Sequence, residues 1–96
     1  MKRLRFSPSS CRDLDEILAF IARDKLGAAA KFVAKLKESC VQLARSPNLG
    51  EDCSELCEGM RRFVVRGYSI FYRTGDQEVE ILRVIHGARD WASLFS

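Results

Sequence analysis

Two stretches in the first half of the chain repeat apolar residues at the three- and four-residue spacing of an amphipathic helix. Ser7 and Pro8 suit the N-cap and the first helical position of the first stretch, which we expect to run to about Asp24. The second stretch runs from about Ala28 to Arg45. A short glycine-containing link joins them, so the sequence predicts an αα-hairpin with one apolar face on each helix. The predicted apolar positions are Cys11, Leu14, Ile17, Leu18 and Ile21, then Ala29, Phe32, Val33, Leu36, Cys40 and Leu43.

The rest of the pattern is typical of β-strands, because apolar, β-branched and aromatic residues alternate with polar ones or form short runs. Residues 2–6 predict a short strand at a sheet edge. Residues 60–66, 68–73 and 78–85 predict three more strands. Only short turns separate these three strands, which favours an antiparallel meander.

The predicted order is therefore β-α-α-β-β-β, an α+β fold with a two-helix hairpin packed on one face of a small, mostly antiparallel sheet. We interpret residues 46–50 as a turn and the acidic segment 51–58 as a loop. A length of 96 residues favours one domain over residues 1–96. We expect the second sheet face, together with the apolar tail, to be left for a partner. The apolar tail residues are Trp91, Leu94 and Phe95.

Charge is mild in total but uneven along the chain. The net charge of +3 and the isoelectric point near 8.8 are low for a general nucleic-acid binder. All five lysines lie in the first 37 residues, whereas residues 60–96 carry only arginines as cations. Arginine suits bidentate pairing with a carboxylate or a phosphate, so these residues indicate either an acidic partner protein or a phosphate, and the alternative is that they are solvated surface charges. The basic N-terminus has no apolar run behind it and no stretch is long enough for a membrane span, so we expect a cytoplasmic protein.

The cysteines and the lone histidine do not form a recognisable metal motif. Cys53 and Cys57 are separated by three residues, and His86 is distant from both in sequence. Cys11 and Cys40 fall on predicted helix faces, where cysteine acts as a small apolar residue. We therefore expect four free thiols, with no metal and no cofactor.

Four stretches of the chain resemble ParE-type toxins of the RelE/ParE superfamily. The strongest is Ile-Leu-Arg-Val-Ile-His-Gly-Ala-Arg-Asp at residues 81–90, which is similar to the closing strand of these toxins. Tyr-Ser-Ile-Phe-Tyr-Arg at residues 68–73 resembles their preceding strand. Residues 7–17 resemble their first helix, and residues 43–50 resemble the helix end and turn. The resemblance covers nearly the whole chain in order.

This resemblance implies the toxin component of a type II toxin–antitoxin system, with the fold shared by RelE-type ribosome-dependent ribonucleases. ParE-type toxins poison DNA gyrase, and growth arrest and plasmid stabilisation are associated with them. A small ParD-like antitoxin neutralises such a toxin in a hetero-oligomer, through a disordered C-terminal part that folds onto it. Operator DNA is contacted only through the antitoxin.

Two functions of different classes remain open at this point. In the first, the chain binds gyrase and antitoxin without catalysis, through arginine, histidine and aromatic side chains of the kind that anchor interfaces. The partner-binding candidates are Arg62, Arg83, His86, Arg89 and Trp91. The alternatives are an internal ion pair of Arg83 with Glu80 or Asp90, a structural hydrogen bond for His86, and packing of Trp91 on its own core.

In the second, the chain is an mRNA endoribonuclease in which His86 is the acid or base and Arg83 and Arg73 clamp the phosphate. Glu51 or Glu58 would then be the partner base. The acidic segment 51–58 would repel an RNA backbone, and the sequence after His86 offers no second proton carrier, so we favour the binding function. A non-toxic family member is a third alternative.

Overall fold

The computed structural model describes residues 1–87 and confirms the α+β fold and the order of its elements. The second helix begins at Leu26, slightly before the expected start, and a two-residue strand lies within the segment expected to be a loop. Neither helix among residues 1–87 is long and apolar enough to cross a membrane. The elements are β1 Arg3–Phe6, α1 Pro8–Ala22, α2 Leu26–Arg45, β2 Glu51–Asp52, β3 Met60–Val65, β4 Tyr68–Thr74 and β5 Glu78–His86.

Within residues 1–87, the sheet has five strands in the order β1-β5-β4-β3-β2. The three long strands form the predicted antiparallel meander, with β2 added at one edge. β1 lies at the other edge, as predicted, and pairs in parallel with β5 from Arg3 opposite Glu78 to Phe6 opposite Ile81. The helical hairpin supplies the crossover that a parallel pair requires.

Both helices pack on one face of the sheet and form the main core with its inward side chains. The predicted apolar stripe of α2 is confirmed, with Phe32 half-buried at its edge. The stripe predicted for α1 is wrong at two positions, because Cys11 is exposed and the exposed fraction of Leu18 is 38%. Polar residues take their place: Ser10 and Asp13 are buried beside Leu14 and Ile17 and make internal hydrogen bonds.

The sheet face opposite the helices carries a second, smaller core. Met60, Phe71 and Ile85 are its buried strand residues, and the segment after β2 packs on them through Cys53 and its neighbours Leu56 and Cys57. The prediction that this face lacks a cover is therefore wrong for this region. The acidic segment has apolar residues between its charges, and these cover the face while the charges stay exposed.

An irregularity in β5 decides which of its residues face the helices. Phe71 of β4 pairs with Arg83, whereas the next residue, Tyr72, pairs with Ile81, so Leu82 is an extra residue in β5. Strict alternation from Ile81 would direct Arg83 to the main core and leave Val84 outside it. With the extra residue, Val84 joins the main core.

Candidate partner-binding site

Arg83 of β5 forms a bidentate pair with Asp13 of α1. Its Nε and one terminal nitrogen donate to the two carboxylate oxygens at 2.8 and 3.0 Å. The backbone N–H of Val84 donates to the same carboxylate at 2.9 Å. The hydrogen bond from Arg83 to Asp13 raises the pKa of the guanidinium above its ordinary value, against the effect of burial. Among the described residues, the internal partner of Arg83 is therefore Asp13 and not the Glu80 considered from the sequence, whereas Asp90 lies outside the described residues.

Asp13 belongs to a set of groups at the start of α1 that cover the free edge of β5. Beyond the end of β1, the Ser7 N–H donates to the Ile81 carbonyl at 2.9 Å, and the Ser7 hydroxyl donates to the Leu82 carbonyl at 2.8 Å. Asp13 then accepts from Val84. Side chains of the helix thus replace a neighbouring strand at the point where the extra residue disturbs the pairing. Sequence reasoning missed Asp13, although its four-residue spacing from Ile17 places it on the inward face.

A groove of about 460 Å³ lies between α1 and the end of β5. We call it the acidic groove, because its charged lining includes Asp13 and Glu16. His86 is exposed at its margin, and its ring packs against the Tyr68 ring in a T-shaped contact with centroids 5.0 Å apart. The lining residues are Asp13, Glu16, Ile17, Phe20, Tyr68, Val84, Ile85 and His86.

A second groove, of about 450 Å³, lies between the two helices and the turn that joins β3 to β4. We call it the basic groove, because its charged lining residues in the described part of the chain are all cations. Phe32 on its floor contacts Tyr68 of the acidic groove, with ring centroids 5.4 Å apart. The lining residues are Ile21, Ala28, Lys31, Phe32, Lys35 and Arg66.

The structure gathers only part of the predicted site. Arg83 and His86 lie near the same end of β5, by the acidic groove. Arg62 lies two strands away on β3, where it bonds Glu51 and donates to the Ser69 hydroxyl at 2.9 Å. Arg89 and Trp91 lie outside the described residues.

The residues required by the ribonuclease alternative are spread over the sheet. His86 pairs with Tyr68, whereas Arg73 pairs with Glu80 five residues further along β4, which is roughly 17 Å away at the rise of a strand. Glu51 lies three strands from Arg83, roughly 14 Å at the usual strand spacing, and is bonded to Arg62. Glu58 precedes Met60, which pairs with Arg73 at that distant end.

The described residues hold no cluster of three or more side chains suited to a metal ion, and all four cysteines are free thiols. Burial raises the pKa of Cys40 to about 12. Burial also raises the pKa of Cys53, and the nearby carboxylates of Glu51 and Glu55 add to the effect. These two thiols are therefore protonated near neutral pH and are poor nucleophiles or metal ligands.

Comparison with known proteins decides the family. Residues 4–91 match the model of the ParE toxin of the type II toxin–antitoxin system parDE. The chain belongs to the ParE toxin family. It is 36% identical over 92 residues to the putative toxin Y4kP of Sinorhizobium fredii, covering 94% of this chain and 93% of that protein. It is 33% identical to toxin ParE1 of Caulobacter vibrioides over 88 residues, which covers 90% of each chain.

Solved structures agree with this ParE-family fold. The chromosomal ParDE toxin–antitoxin system of P. aeruginosa superposes with a TM-score of 0.79 at 23% identity, covering 91% of this chain and 97% of that one, and at this identity it supports the fold alone. The RelBE2 toxin–antitoxin complex of Mycobacterium tuberculosis gives a TM-score of 0.70 at 25% identity, covering 88% and 96%. The resemblance seen in the sequence is therefore confirmed, and the chain is a ParE-type toxin of a type II toxin–antitoxin system.

Proposed function

We propose that this ParE-family toxin inhibits DNA gyrase by binding to it, that it breaks no bond itself, and that a ParD-like antitoxin neutralises it. The main support for the proposal is that the residues that RNA cleavage would need lie far apart on the sheet. A general acid and a general base must both reach one scissile phosphate to within hydrogen-bond distance. Neither candidate base lies near His86, because Glu51 is three strands from β5 and Glu58 precedes Met60, which pairs with Arg73 at the distant end of β4. The clamp residue Arg73 is itself roughly 17 Å from His86 along the sheet.

The occupied state of Arg83 supports the same proposal. A phosphate clamp would need the guanidinium fork that already holds the Asp13 carboxylate. Releasing the Arg83 guanidinium to bind a phosphate would leave the Asp13 carboxylate without its charged partner and would disturb the pairing at Val84. We assign Arg83 to positioning the end of β5, and we assign His86 at that end, together with Arg89 and Trp91 that follow it in the sequence, to contact with partners. Arg62, two strands away on β3, is the remaining partner-binding candidate.

A ParD-like antitoxin is the second part of the proposal. The RelBE2 relative is described as a toxin–antitoxin complex, and the matching family model is that of the toxin of the parDE system, which supports a hetero-oligomer here. The two grooves offer adjoining apolar and charged surface to such a partner. We propose that operator DNA is reached only through the antitoxin, and that growth arrest and plasmid stabilisation follow from gyrase inhibition.

Expression in a bacterial host, followed by assays with purified components, tests this function. We expect growth arrest, loss of supercoiling by purified gyrase, intact messages, and rescue by a co-expressed antitoxin. The His86→Gln variant should leave message integrity as it is in the wild type, because no cleavage depends on the imidazole. Message cleavage that His86→Gln abolishes would instead establish the ribonuclease alternative. Healthy cells with active gyrase would indicate a non-toxic family member.

A further inference from the structure

We infer that the acidic and basic grooves form one trough with opposite charge at its two ends, and that this trough takes an amphipathic antitoxin segment whose carboxylates lie over the basic end. The inference rests on the proposed function, because it assigns the antitoxin as the occupant. It adds which end of the docking segment is acidic, and it names the residues of this chain that interact with those charges. These residues are Lys31, Lys35 and Arg66 at the basic end and Glu16 at the acidic end.

Shared walls join the two grooves. Phe20 lines the acidic groove, and the next residue of α1, Ile21, lines the basic groove. On the other side, Phe32 of the basic groove contacts Tyr68 of the acidic groove, and Tyr68 contacts His86 in turn. A row of aromatic and aliphatic side chains therefore runs through both. Phe20 is 66% exposed, so part of this apolar row faces solvent.

The charges at the two ends differ in sign. Lys31 and Lys35 are one helical turn apart on α2, and Arg66 approaches from the turn between β3 and β4. No carboxylate is among the described residues that line this end. At the other end, the carboxylates of Asp13 and Glu16 line the groove, and the Arg83 guanidinium is bonded to Asp13. Among the described residues, the acidic end therefore carries a surplus of negative charge, and the basic end a surplus of positive charge.

An amphipathic protein segment fits this surface better than a nucleic acid does. A nucleic-acid backbone is anionic along its whole length and would meet repulsion at Glu16. A segment with apolar residues on one side can place them on Phe20, Ile21 and Phe32, as a helix in a groove does. Carboxylates at one end of that segment would then pair with the three cations, while the other end would carry neutral or basic residues.

The experiment compares two triple variants of the full-length toxin for affinity to the antitoxin that rescues growth. The test variant is Lys31→Gln, Lys35→Gln and Arg66→Gln, and the matched control is Lys25→Gln, Lys37→Gln and Arg45→Gln. The control removes three exposed cations that do not line the trough. Both variants lose the same net charge, so an effect of overall charge cancels.

We expect the test variant to bind the antitoxin about tenfold more weakly at low salt, as the loss of three exposed ion pairs implies. The control should bind as the wild type does. The difference should shrink at high salt, because the ion pairs are screened. In a second arm, Glu16→Lys should weaken binding of a segment that is neutral or basic at that end, whereas Asp15→Lys, outside the trough, should not.

Equal affinity of the test variant and the control, with toxicity and rescue intact, would overturn the trough assignment and leave the proposed function standing. A test variant that keeps antitoxin affinity but loses association with gyrase–DNA complexes would also overturn it, by assigning the basic end to the target. If the wild type neither arrests growth nor binds an antitoxin, the proposed function fails and this inference fails with it.

Discussion

Asp13 and Arg83 are 70 residues apart in the chain, yet two hydrogen bonds of 2.8 and 3.0 Å join their side chains. The pair fixes α1 to β5 next to the extra residue of that strand. Because the Asp13 side chain is 10% exposed and the Arg83 side chain is 24% exposed, water screens the pair only in part. Removing one partner would leave the other charge with neither full hydration nor a counter-charge.

We predict that Asp13→Ala lowers the free energy of unfolding by about 2–3 kcal/mol, because a charged hydrogen-bond pair and the acceptor for Val84 are lost together. Urea denaturation measures this change. Asp15→Ala on the exposed side of α1 is the control and should change stability by less than about 0.5 kcal/mol. The double variant with Arg83→Ala should cost less than the sum of the single variants. Additive effects would contradict the pairing.

The turn before β2 gives a second prediction. The Tyr72 hydroxyl accepts from the Gly50 N–H at 2.9 Å, and a Cβ on Gly50 would lie 2.6 Å from that hydroxyl and 2.8 Å from the Arg62 carbonyl. Gly50→Ala should therefore be destabilising by at least about 1–3 kcal/mol, because a buried backbone atom must move.

Gly27 is the matched control, because a Cβ there meets nothing within 4 Å and the residue lies in α2. Gly27→Ala should stabilise the protein by about 0.5–1 kcal/mol through helix propensity. Thermal denaturation of the two alanine variants should move the melting temperature in opposite directions. Equal shifts would show that the close approach of Gly50 to Tyr72 has no energetic effect.

One substitution at Arg66 is expected to change stability and antitoxin binding in opposite directions. It has a positive φ of 50° in the two-residue turn with Gly67, a conformation that favours Asn or Gly. Arg66→Asn should raise the free energy of unfolding by about 0.5 kcal/mol while it weakens antitoxin binding. Arg66→Lys keeps the cation and the backbone strain, so it should retain both values. Calorimetric titration would measure the affinity for the antitoxin, and urea denaturation would measure the free energy of unfolding. An Arg66→Asn variant that gains stability at unchanged affinity would contradict a role for Arg66 in the trough.

The buried thiol of Cys40 predicts a loss of stability in alkali. Its folded pKa of about 12 lies above the ordinary value of 9.0, because burial disfavours the thiolate. The folded state therefore holds its proton where the unfolded state releases it. The contribution to stability is complete below about pH 9 and falls as the pH rises toward 12.

Urea denaturation at several alkaline pH values would measure this loss, and Cys40→Ala should flatten the dependence. At pH 8, a thiol reagent should modify the exposed Cys11 first and leave Cys40 intact until the chain unfolds. Rapid modification of Cys40 in the folded protein would contradict its burial.

The helices and the meander could be predicted from the sequence because the patterns that indicate them are local. Helical spacing and short turns depend on neighbouring residues, and only the details of the α1 stripe differed. Three features arise between distant segments, where no local pattern indicates the register: the Asp13–Arg83 pair, the parallel pairing of β1 and the shift at Leu82.

The cover on the second sheet face was missed because four carboxylates obscured the apolar residues between them. Lys31, Lys35 and Arg66 were seen as separate charges, and only the fold brings them together.

The parallel pairing of β1 with β5 has a consequence for synthesis. Glu78, the partner of Arg3, follows it 75 residues later in the chain. β1 therefore has no native strand neighbour on the nascent chain until β5 has been made, so its unpaired edge persists while the segments between them are translated. This edge of the sheet closes only once residues 78–81 have left the ribosome.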